Sequence, residues 1–360
     1  MKKHRIVFLL LLVMGVVVIA AACGIRRDGG PLSENASTAM TSSASSTSKT
    51  EQATETSLKE DETFDTKAEP TTQAEPTTQV DPATQAKPTT QVEPTTQAKP
   101  EVQEISFDET WKYAEFSVIH TAGVRLYRTQ ALPAKGKVVC VNAGHGCKGG
   151  SSQYTLCHPD GSPKVTGGST SKGSVKATSI NEGTVLKDGT TEAAANLELA
   201  LTIRDLLLSN GYDVLMIRES EDAQLDNIAR TVIANNNADC HIALHYDSSE
   251  TDKGFFYISV PDVASYRKME PVKSHFEAHT KLGESILKGV REAGVKIYGA
   301  GSMAIDLTQT SYSTIPSVDL EVGDRASPHD KRQQETIARG ILDGLDLFFG
   351  FNDSVAAEGT

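Results

Sequence analysis

The sequence predicts an α/β fold of three layers, α/β/α, with a mostly parallel central sheet, preceded by a disordered Thr/Pro-rich tether. From residue 138 onward, short β-rich runs alternate with amphipathic helical stretches, as in parallel sheets covered on both faces. Two of these runs end in a histidine, His145 and His245. The carboxyl ends of such strands share one edge of the sheet, where sites are usually built. Before about residue 105 no apolar periodicity is found.

The first 22 residues have the order of a secretory signal. Three basic residues precede an apolar run over 6–19, and the alanines at 20–22 precede Cys23. Small residues before a cysteine are typical of a bacterial lipoprotein signal, although Leu is more usual than Ala20 in such a signal. We therefore expect lipidation of Cys23 and anchoring to the outer side of the cell membrane. The alternative is ordinary cleavage after Ala22, because the apolar run is short for a permanent membrane helix.

Residues 23–104 are predicted to be a disordered, repeat-containing linker. Polar and small residues dominate, and from Glu69 the unit Glu-Pro-Thr-Thr-Gln-Ala recurs with near copies. The period is too short for a helical solenoid, and regular proline favours an extended tether. Roughly 80 residues at about 3.1 Å each reach up to about 250 Å. That reach suits an anchored enzyme working in a surrounding wall, and equally a surface-displayed binding module.

Charge and cysteine content exclude some classes of function. A net charge of −12 argues against binding of nucleic acid, which needs a basic face. Cys147 and Cys157 flank a short loop and are placed to form a disulfide outside the cell. Cys140 and Cys240 precede the strand-end histidines and are expected to be buried free thiols. No CxxC pair is present, so a structural cysteine zinc site is not expected.

The elements before the first helix are punctuated by turns. Two β-rich runs, 116–119 and 124–127, lie on either side of a turn and predict a hairpin at the edge of the sheet. A break at 133–136 precedes the first central strand, 138–142, whose β-branched residues favour a pleated strand. Residues 147–191 are polar and lack periodicity, which indicates a lid, a cleft rim or a disordered loop.

Helices and strands alternate after residue 191. Apolar residues recur at helical spacing over 193–208, with Thr190 or Thr191 as N-cap and Asn210-Gly211 as the stop. The same reasoning gives the later elements, which are strand 212–217, helix 225–234, strand 238–245, strand 254–260, helix 275–293, strand 317–321 and helix 331–349.

Two histidines are candidates for metal binding. Glycines flank His145 and let the backbone turn close to a ligand, and His245 ends its strand at the same edge. Two imidazoles at one edge suggest one metal ion. Each of the two also has a purely structural interpretation, as a hydrogen-bonded surface residue.

Four blocks of sequence follow one another along this part of the chain, and two of them contain these histidines. They are Val139–Gly146; Glu192 with Asn196-Leu197 and Gly211–Val214; Arg230 with Ala234-Asn235, Ala238-Asp239 and Ile242–His245; and Ile315–Gly323. Together they resemble the motifs of zinc-dependent N-acetylmuramoyl-L-alanine amidases of the Amidase_3 family. The resemblance covers roughly 138 to 349 and depends on the order and spacing of the blocks, since each alone is weakly specific.

The resemblance implies the roles of the candidates. His145, Glu192 and His245 would bind Zn²⁺, with Glu182 as the alternative to Glu192, and two imidazoles with one carboxylate would leave a fourth position open for water. Glu321 would be the catalytic carboxylate that moves a proton from water to the leaving amine. Both carboxylates also have a purely structural interpretation. The implied substrate is peptidoglycan, at the amide bond between N-acetylmuramic acid and L-alanine. The catalytic domain would occupy 105–350, with a flexible tail at 351–360. The resemblance does not identify a protein partner.

The sequence also departs from the family pattern. Asn142 and Ala143 stand where the family usually has Asp and Pro, and Asp247 and Asp324 replace a usual Asn and an apolar residue. An Asp at 142 could orient a ligand histidine, and Asn retains an acceptor without the charge. No ligand is lost. Two alternatives stay open: another zinc hydrolase that cleaves a peptide or acetamide bond, and a wall-binding or regulatory module with impaired catalysis.

The remaining histidines are assigned structural positions. His241 shares a strand face with His245 and is expected in the core or beside the site. His275 and His279 lie one turn apart, without an HExxH pattern, so a solvated helix face is expected. His158 is expected to be exposed in the long polar segment.

Overall fold

The computed structural model of the protein describes residues 99–351. The predicted signal sequence, Cys23, nearly all of the linker and the tail after Phe351 lie outside the described residues. The strands are β1 (Glu101–Ile105), β2 (Val124–Arg128), β3 (Val138–Ala143), β4 (Tyr154–Leu156), β5 (Lys176–Thr178), β6 (Asp213–Met216), β7 (Cys240–Asp247), β8 (Phe255–Ser259), β9 (Ile297–Ala304) and β10 (Ser317–Asp324). The helices are α1 (Glu192–Ser209), α2 (Asn227–Asn237), α3 (Ala264–Lys268), α4 (Val272–Glu292), α5 (Thr308–Tyr312) and α6 (Lys331–Phe349).

Eight of these strands form one sheet, in the order β1-β2-β6-β3-β7-β10-β8-β9. Its centre, β6-β3-β7-β10, is parallel throughout. Antiparallel pairing occurs between β1 and β2, between β2 and β6, and between β10 and β8. The predicted three-layer fold with a mostly parallel central sheet is confirmed, and the carboxyl ends of the four central strands lie at one edge.

Helices cover both faces of the sheet. The larger core packs α1, α4 and α6 against residues such as Val141, Leu244 and Leu320. On the opposite face, α2 packs against residues such as Cys140 and Leu215. Because side chains alternate along a strand, His245 and Glu321 lie on the α2 face, between core residues that point the other way. Within the part of the chain that the structure describes, no helix has both the length and the apolarity to cross a membrane.

The predicted hairpin at 116–119 and 124–127 is wrong. β2 pairs with β1, which begins inside the predicted linker. The first run instead ends a 3-10 turn at Phe116, and the backbone amides of Val118 and Ile119 donate to Asp226 Oδ2. Asp226 is also the N-cap of α2. The Asp226 carboxylate thus accepts hydrogen bonds from amides that would otherwise pair with a neighbouring strand. A tertiary contact overrides the β propensity of these residues.

The long polar segment is anchored to the core. Asp306, which is buried, accepts hydrogen bonds from His158 Nε2 at 3.1 Å and from the Val165 amide at 2.6 Å, and Lys164 also contacts it. These bonds lower the pKa of Asp306 although its burial acts in the opposite direction. The expectation of an exposed His158 is therefore wrong, because a polar side chain with good partners is stable in the interior.

Other positions differ from expectation in the same way. His279 is buried, and its Nδ1 accepts from the Ser317 amide at 2.9 Å, so the predicted solvated helix face is wrong for this residue. Cys147 and Cys157 are buried free thiols rather than a disulfide. The two thiols do not bond to each other but have different neighbours, Gly150 for Cys147 and Lys164 for Cys157. Cys140 and Cys240 are buried and free as predicted.

Candidate metal centre

The four candidate residues come from four elements that meet at the carboxyl edge of the sheet. His145 follows β3, Glu192 is the first residue of α1, and His245 lies near the end of β7. Glu321 in β10 is directly in register with His245. The edge predicted from the two histidine-tipped strands therefore contains all four side chains.

Three of these residues converge on one point. One ligand atom from each of His145, Glu192 and His245 lies within 4.8 Å of the other two. His145 Nε2 is 2.7 Å from Glu192 Oε1, and His245 Nδ1 is 3.0 Å and 3.1 Å from those two atoms. Ligands about 2.0–2.1 Å from a tetrahedral zinc ion are about 3.3 Å apart. A small widening of this group would admit the ion, so the residues fit zinc in number, type and spacing.

His145 sits in a strained turn. Its φ is 63°, in the left-handed region that non-glycine residues rarely occupy. Its Nδ1 donates a hydrogen bond to the Asn181 carbonyl at 2.9 Å. Because a carbonyl only accepts, that bond places the imidazole hydrogen on Nδ1 and leaves the Nε2 lone pair for a metal.

Two buried arginines stabilise this turn. Arg218 donates to the carbonyls of Ala143 and Gly144, each at 2.9 Å, and Arg230 donates to those of Ala143 at 3.0 Å and His145 at 2.7 Å. Burial lowers the pKa of Arg218 to about 10 and that of Arg230 to about 9. Both guanidinium groups are thus used for backbone carbonyls, which they fix more strongly than neutral donors can.

Glu192 is buried and fully hydrogen bonded. Its Oε1 accepts from the Tyr246 amide at 3.1 Å, and its Oε2 accepts from the Thr184 amide at 2.8 Å. Burial alone would raise the pKa of Glu192, but the two neighbouring imidazoles bring it well below its usual value. Its alternative, Glu182, is exposed and bonds Ser151 Oγ at 3.3 Å. The geometry therefore favours Glu192.

His245 is surrounded by acidic groups. Burial disfavours its charged form, but Asp319 and Glu192 raise the pKa of His245 to about 10. Its Nε2 is 3.6 Å from Asp319 Oδ2. Such an excess of carboxylates around two imidazoles is the electrostatic setting expected for a divalent cation.

Glu321 lies beside His245 on the neighbouring strand. The side chain is half-buried, and its Oε2 is buried without a hydrogen-bond partner among the described residues. Burial, followed by the charge of Asp319, raises the pKa of Glu321 well above its ordinary value. A raised pKa makes a carboxylate a stronger proton acceptor than an exposed one, which suits general base catalysis.

The departures from the family pattern have local explanations. Asn142 Oδ1 accepts from Arg230 Nη1 at 3.1 Å and thus does not orient a ligand histidine. Asp247 and Asp324 are paired in register, and Lys253 contacts both, at 3.7 Å from Asp324. These two added carboxylates therefore neutralise a common lysine instead of entering the group of ligands.

Sequence reasoning missed four contributors to the site. Asp319 carries the clearest signal, since it precedes Glu321 by two residues on a strand and so shares its face. Arg218 lies two residues after the end of β6, but nothing in the sequence shows that it contacts carbonyls. Asn181 and Thr184 act through their backbone, which no side-chain pattern reveals.

One family of known proteins matches this chain. The family model described as N-acetylmuramoyl-L-alanine amidase, Amidase_3, matches residues 139–346, more than half of the chain. No curated protein matches the chain.

Several solved structures are similar. The amidase Ami1 from Mycobacterium smegmatis is 17% identical, with a TM-score of 0.49, over 60% of this chain and 98% of that one. The catalytic domain of CwlV from Bacillus (Paenibacillus) polymyxa var. colistinus is 21% identical, with a TM-score of 0.41, over 59% and 98% of the two chains. The CwlD amidase from Clostridioides difficile, in complex with the GerS lipoprotein, is 21% identical with a TM-score of 0.42, over 60% and 100%.

Proposed function

Because the chain belongs to the Amidase_3 family of N-acetylmuramoyl-L-alanine amidases, we propose that it cleaves the bond between N-acetylmuramic acid and L-alanine with zinc held by His145, Glu192 and His245. The observation that carries the proposal is the convergence of two imidazole nitrogens and one carboxylate oxygen within 4.8 Å. Three protein ligands that leave a fourth position free are the pattern of catalytic zinc rather than structural zinc.

The residues of the chain then have separate tasks. When bound, zinc supplies a Lewis acid that polarises the substrate carbonyl and acidifies water. Glu321 takes a proton from the attacking water and returns it to the alanine nitrogen as the C–N bond breaks. No described residue donates a hydrogen bond to its Oε2, so the carboxyl group is not held by another contact there. Arg218, Arg230 and Asn181 keep the His145 imidazole in position.

The test is product analysis on purified peptidoglycan. We expect new amino termini of L-alanine, loss of this activity after zinc is removed with a chelator, and its return when zinc is added. Glu321→Gln should lower turnover by about 10²–10⁴-fold and retain bound zinc. Glu182→Gln, an exposed carboxylate near the same site, is the matched control and should behave as wild type.

Other outcomes would assign a different function. New amino termini of another residue would indicate a different zinc hydrolase. Binding to the wall without cleavage, by protein that contains no zinc, would indicate a regulatory module.

We also propose that the enzyme acts outside the membrane, attached through a lipid on Cys23. The support is the signal-like order of residues 1–23 together with a family whose substrate is the cell wall. In a bacterium that processes lipoproteins, the wild type should be found in the membrane fraction, and Cys23→Ser should be released. Equal distribution of the two proteins would contradict the lipid anchor.

A further inference from the structure

The two ligand histidines need a partner on the nitrogen that faces away from the metal. A neutral imidazole that binds a metal through one nitrogen carries its hydrogen on the other, and an acceptor there fixes the ring orientation and strengthens the ligand. For His145 this acceptor is the Asn181 carbonyl, at 2.9 Å from Nδ1. His245 presents Nδ1 to the other ligands, so its hydrogen belongs on Nε2.

Asp319 is the acidic group that faces this nitrogen. Its Oδ2 is 3.6 Å from His245 Nε2, within ion-pair distance although long for a hydrogen bond. Asp319 is only 8% exposed, and its Oδ1 has no hydrogen-bond partner among the described residues. An unpaired buried carboxylate costs free energy unless it serves a nearby positive group. The ring of His245 and the ion that it would bind are such groups.

Strand register places Asp319 at this position. β10 runs parallel to β7, with Glu321 opposite His245 and Asp319 opposite Ala243, one step back on the same face. The small side chain of Ala243 leaves room for the carboxylate to reach the ring. Gly144 closes the other side of the ring, since a Cβ there would lie 2.6 Å from His245 Nε2. Position 144 therefore has no room for a side chain that could accept the Nε2 hydrogen instead of Asp319.

Asn142 does not provide this contact. Its Oδ1 accepts from Arg230 instead, at 3.1 Å. We propose that Asp319 is the positioning residue of His245: it accepts the Nε2 hydrogen, holds Nδ1 toward the metal and adds negative charge to the site. This role deepens the proposed zinc function and depends on it. Asp319 is not assigned a proton-transfer step, which belongs to Glu321.

The experiment measures metal binding directly. Zinc affinity of the purified protein is determined by competition with a chromophoric chelator, and the ligand geometry is followed in the visible spectrum of the cobalt-substituted protein. Asp319→Ala should bind zinc about 10–100-fold more weakly than wild type and change the cobalt spectrum. Asp319→Asn keeps an acceptor without the charge and should lie between the two.

Two controls on the same strand face separate this role from general disruption of β10. Ser317→Ala removes a buried hydroxyl that accepts from Gln309 Nε2 and contacts no ligand, so it should leave zinc affinity unchanged. Glu321→Gln should lose turnover but keep zinc affinity close to wild type. If Asp319→Ala does not fold, Asp319→Leu fills the space without an acceptor and serves the same purpose.

The outcomes distinguish the inference from the function on which it rests. Wild-type protein that binds no zinc would overturn the proposed function. Wild-type zinc binding together with unchanged affinity and an unchanged cobalt spectrum in Asp319→Ala or Asp319→Leu would overturn only the role of Asp319.

Discussion

The two histidines reach the same point by different physical means. His145 lies in a turn with φ of 63°, and its neighbours Ala143 and Gly144 are bound through their carbonyls by buried arginines. His245 lies in a regular strand, where register and the neighbouring strand β10 determine its position. One ligand thus depends on hydrogen bonds to an irregular backbone, and the other on the sheet itself.

This difference determines what each ligand tolerates. A turn held by specific donors is sensitive to loss of those donors, because several carbonyls would be left buried and unpaired. A strand keeps its backbone bonds when a side chain is changed, so its histidine is sensitive mainly to what packs against the ring. Substitutions around the His145 turn and around the His245 strand should therefore have different effects on zinc binding.

The largest loss of zinc affinity is expected from a substitution at Gly144, where the turn that carries His145 contacts the His245 ring. A Cβ at Gly144 would lie 2.2 Å from His245 Cε1 and 2.6 Å from the Leu244 carbonyl oxygen. Because both neighbours are fixed, Gly144→Ala should separate the two histidines and lower zinc affinity and turnover by about 100-fold. Gly167→Ala, which adds a Cβ in open space, is the matched control. Normal zinc affinity in Gly144→Ala would show that close packing of Gly144 against the His245 ring is not needed for zinc binding.

Loss of the Arg218 contacts should lower the stability of the protein through the turn that carries His145. Arg218→Met leaves the carbonyls of Ala143, Gly144 and Ala193 without this donor, and we expect the free energy of unfolding to fall by about 2–4 kcal/mol. Removal of a buried charge offsets part of the loss. Urea unfolding measures the change. Arg125→Met breaks exposed ion pairs to Glu104 and Glu219 and should cost at most about 1 kcal/mol. Equal losses in the two variants would contradict a special role for Arg218.

A smaller effect is expected from the loop that covers His145 and Glu192. Gly183 has a φ of +81°, and a Cβ there would lie 2.7 Å from His145 Cδ2 and 2.8 Å from Glu192 Oε2. Gly183→Ala should therefore weaken zinc binding by about 10-fold. Gly149→Ala has nearly the same φ, +80°, and open space around it, so it shares the backbone strain without the contact. Similar zinc affinities in the two variants would mean that the loop does not constrain the ligands.

The smallest effect is expected at Asn142. Since Asn142 contacts Arg230 and no ligand, Asn142→Asp should change turnover by less than about twofold. The new carboxylate would pair with a buried guanidinium, and such a pair often contributes little net stability. The free energy of unfolding, measured by thermal denaturation, should therefore change by less than about 1 kcal/mol. A large gain in activity would instead show that residue 142 orients a ligand histidine.

Local sequence patterns determined much of the architecture. The α6 boundaries, the Thr191 cap of α1 and the strand β3 agree with prediction because periodicity, caps and β-branched runs act within a few residues. The pattern around 116–119 failed because the amides there bond to Asp226, more than 100 positions away in the chain. The same reason, a distant partner, explains the burial of His158 by Asp306.

The sequence by itself thus determined the class of fold and the two strand-end histidines, because strand ends are recognisable in a local pattern. The resemblance of its four blocks to the family motifs added Glu192 and Glu321. Only the tertiary structure decided how they are held. Arg218 and Arg230 donate to carbonyls of the His145 turn, and Asp319 faces His245 across a strand pair. These contacts join residues that are far apart along the chain. The orientation of side chains at a metal centre depends on distances of a fraction of an ångström, which the spacing of residues in a sequence does not specify.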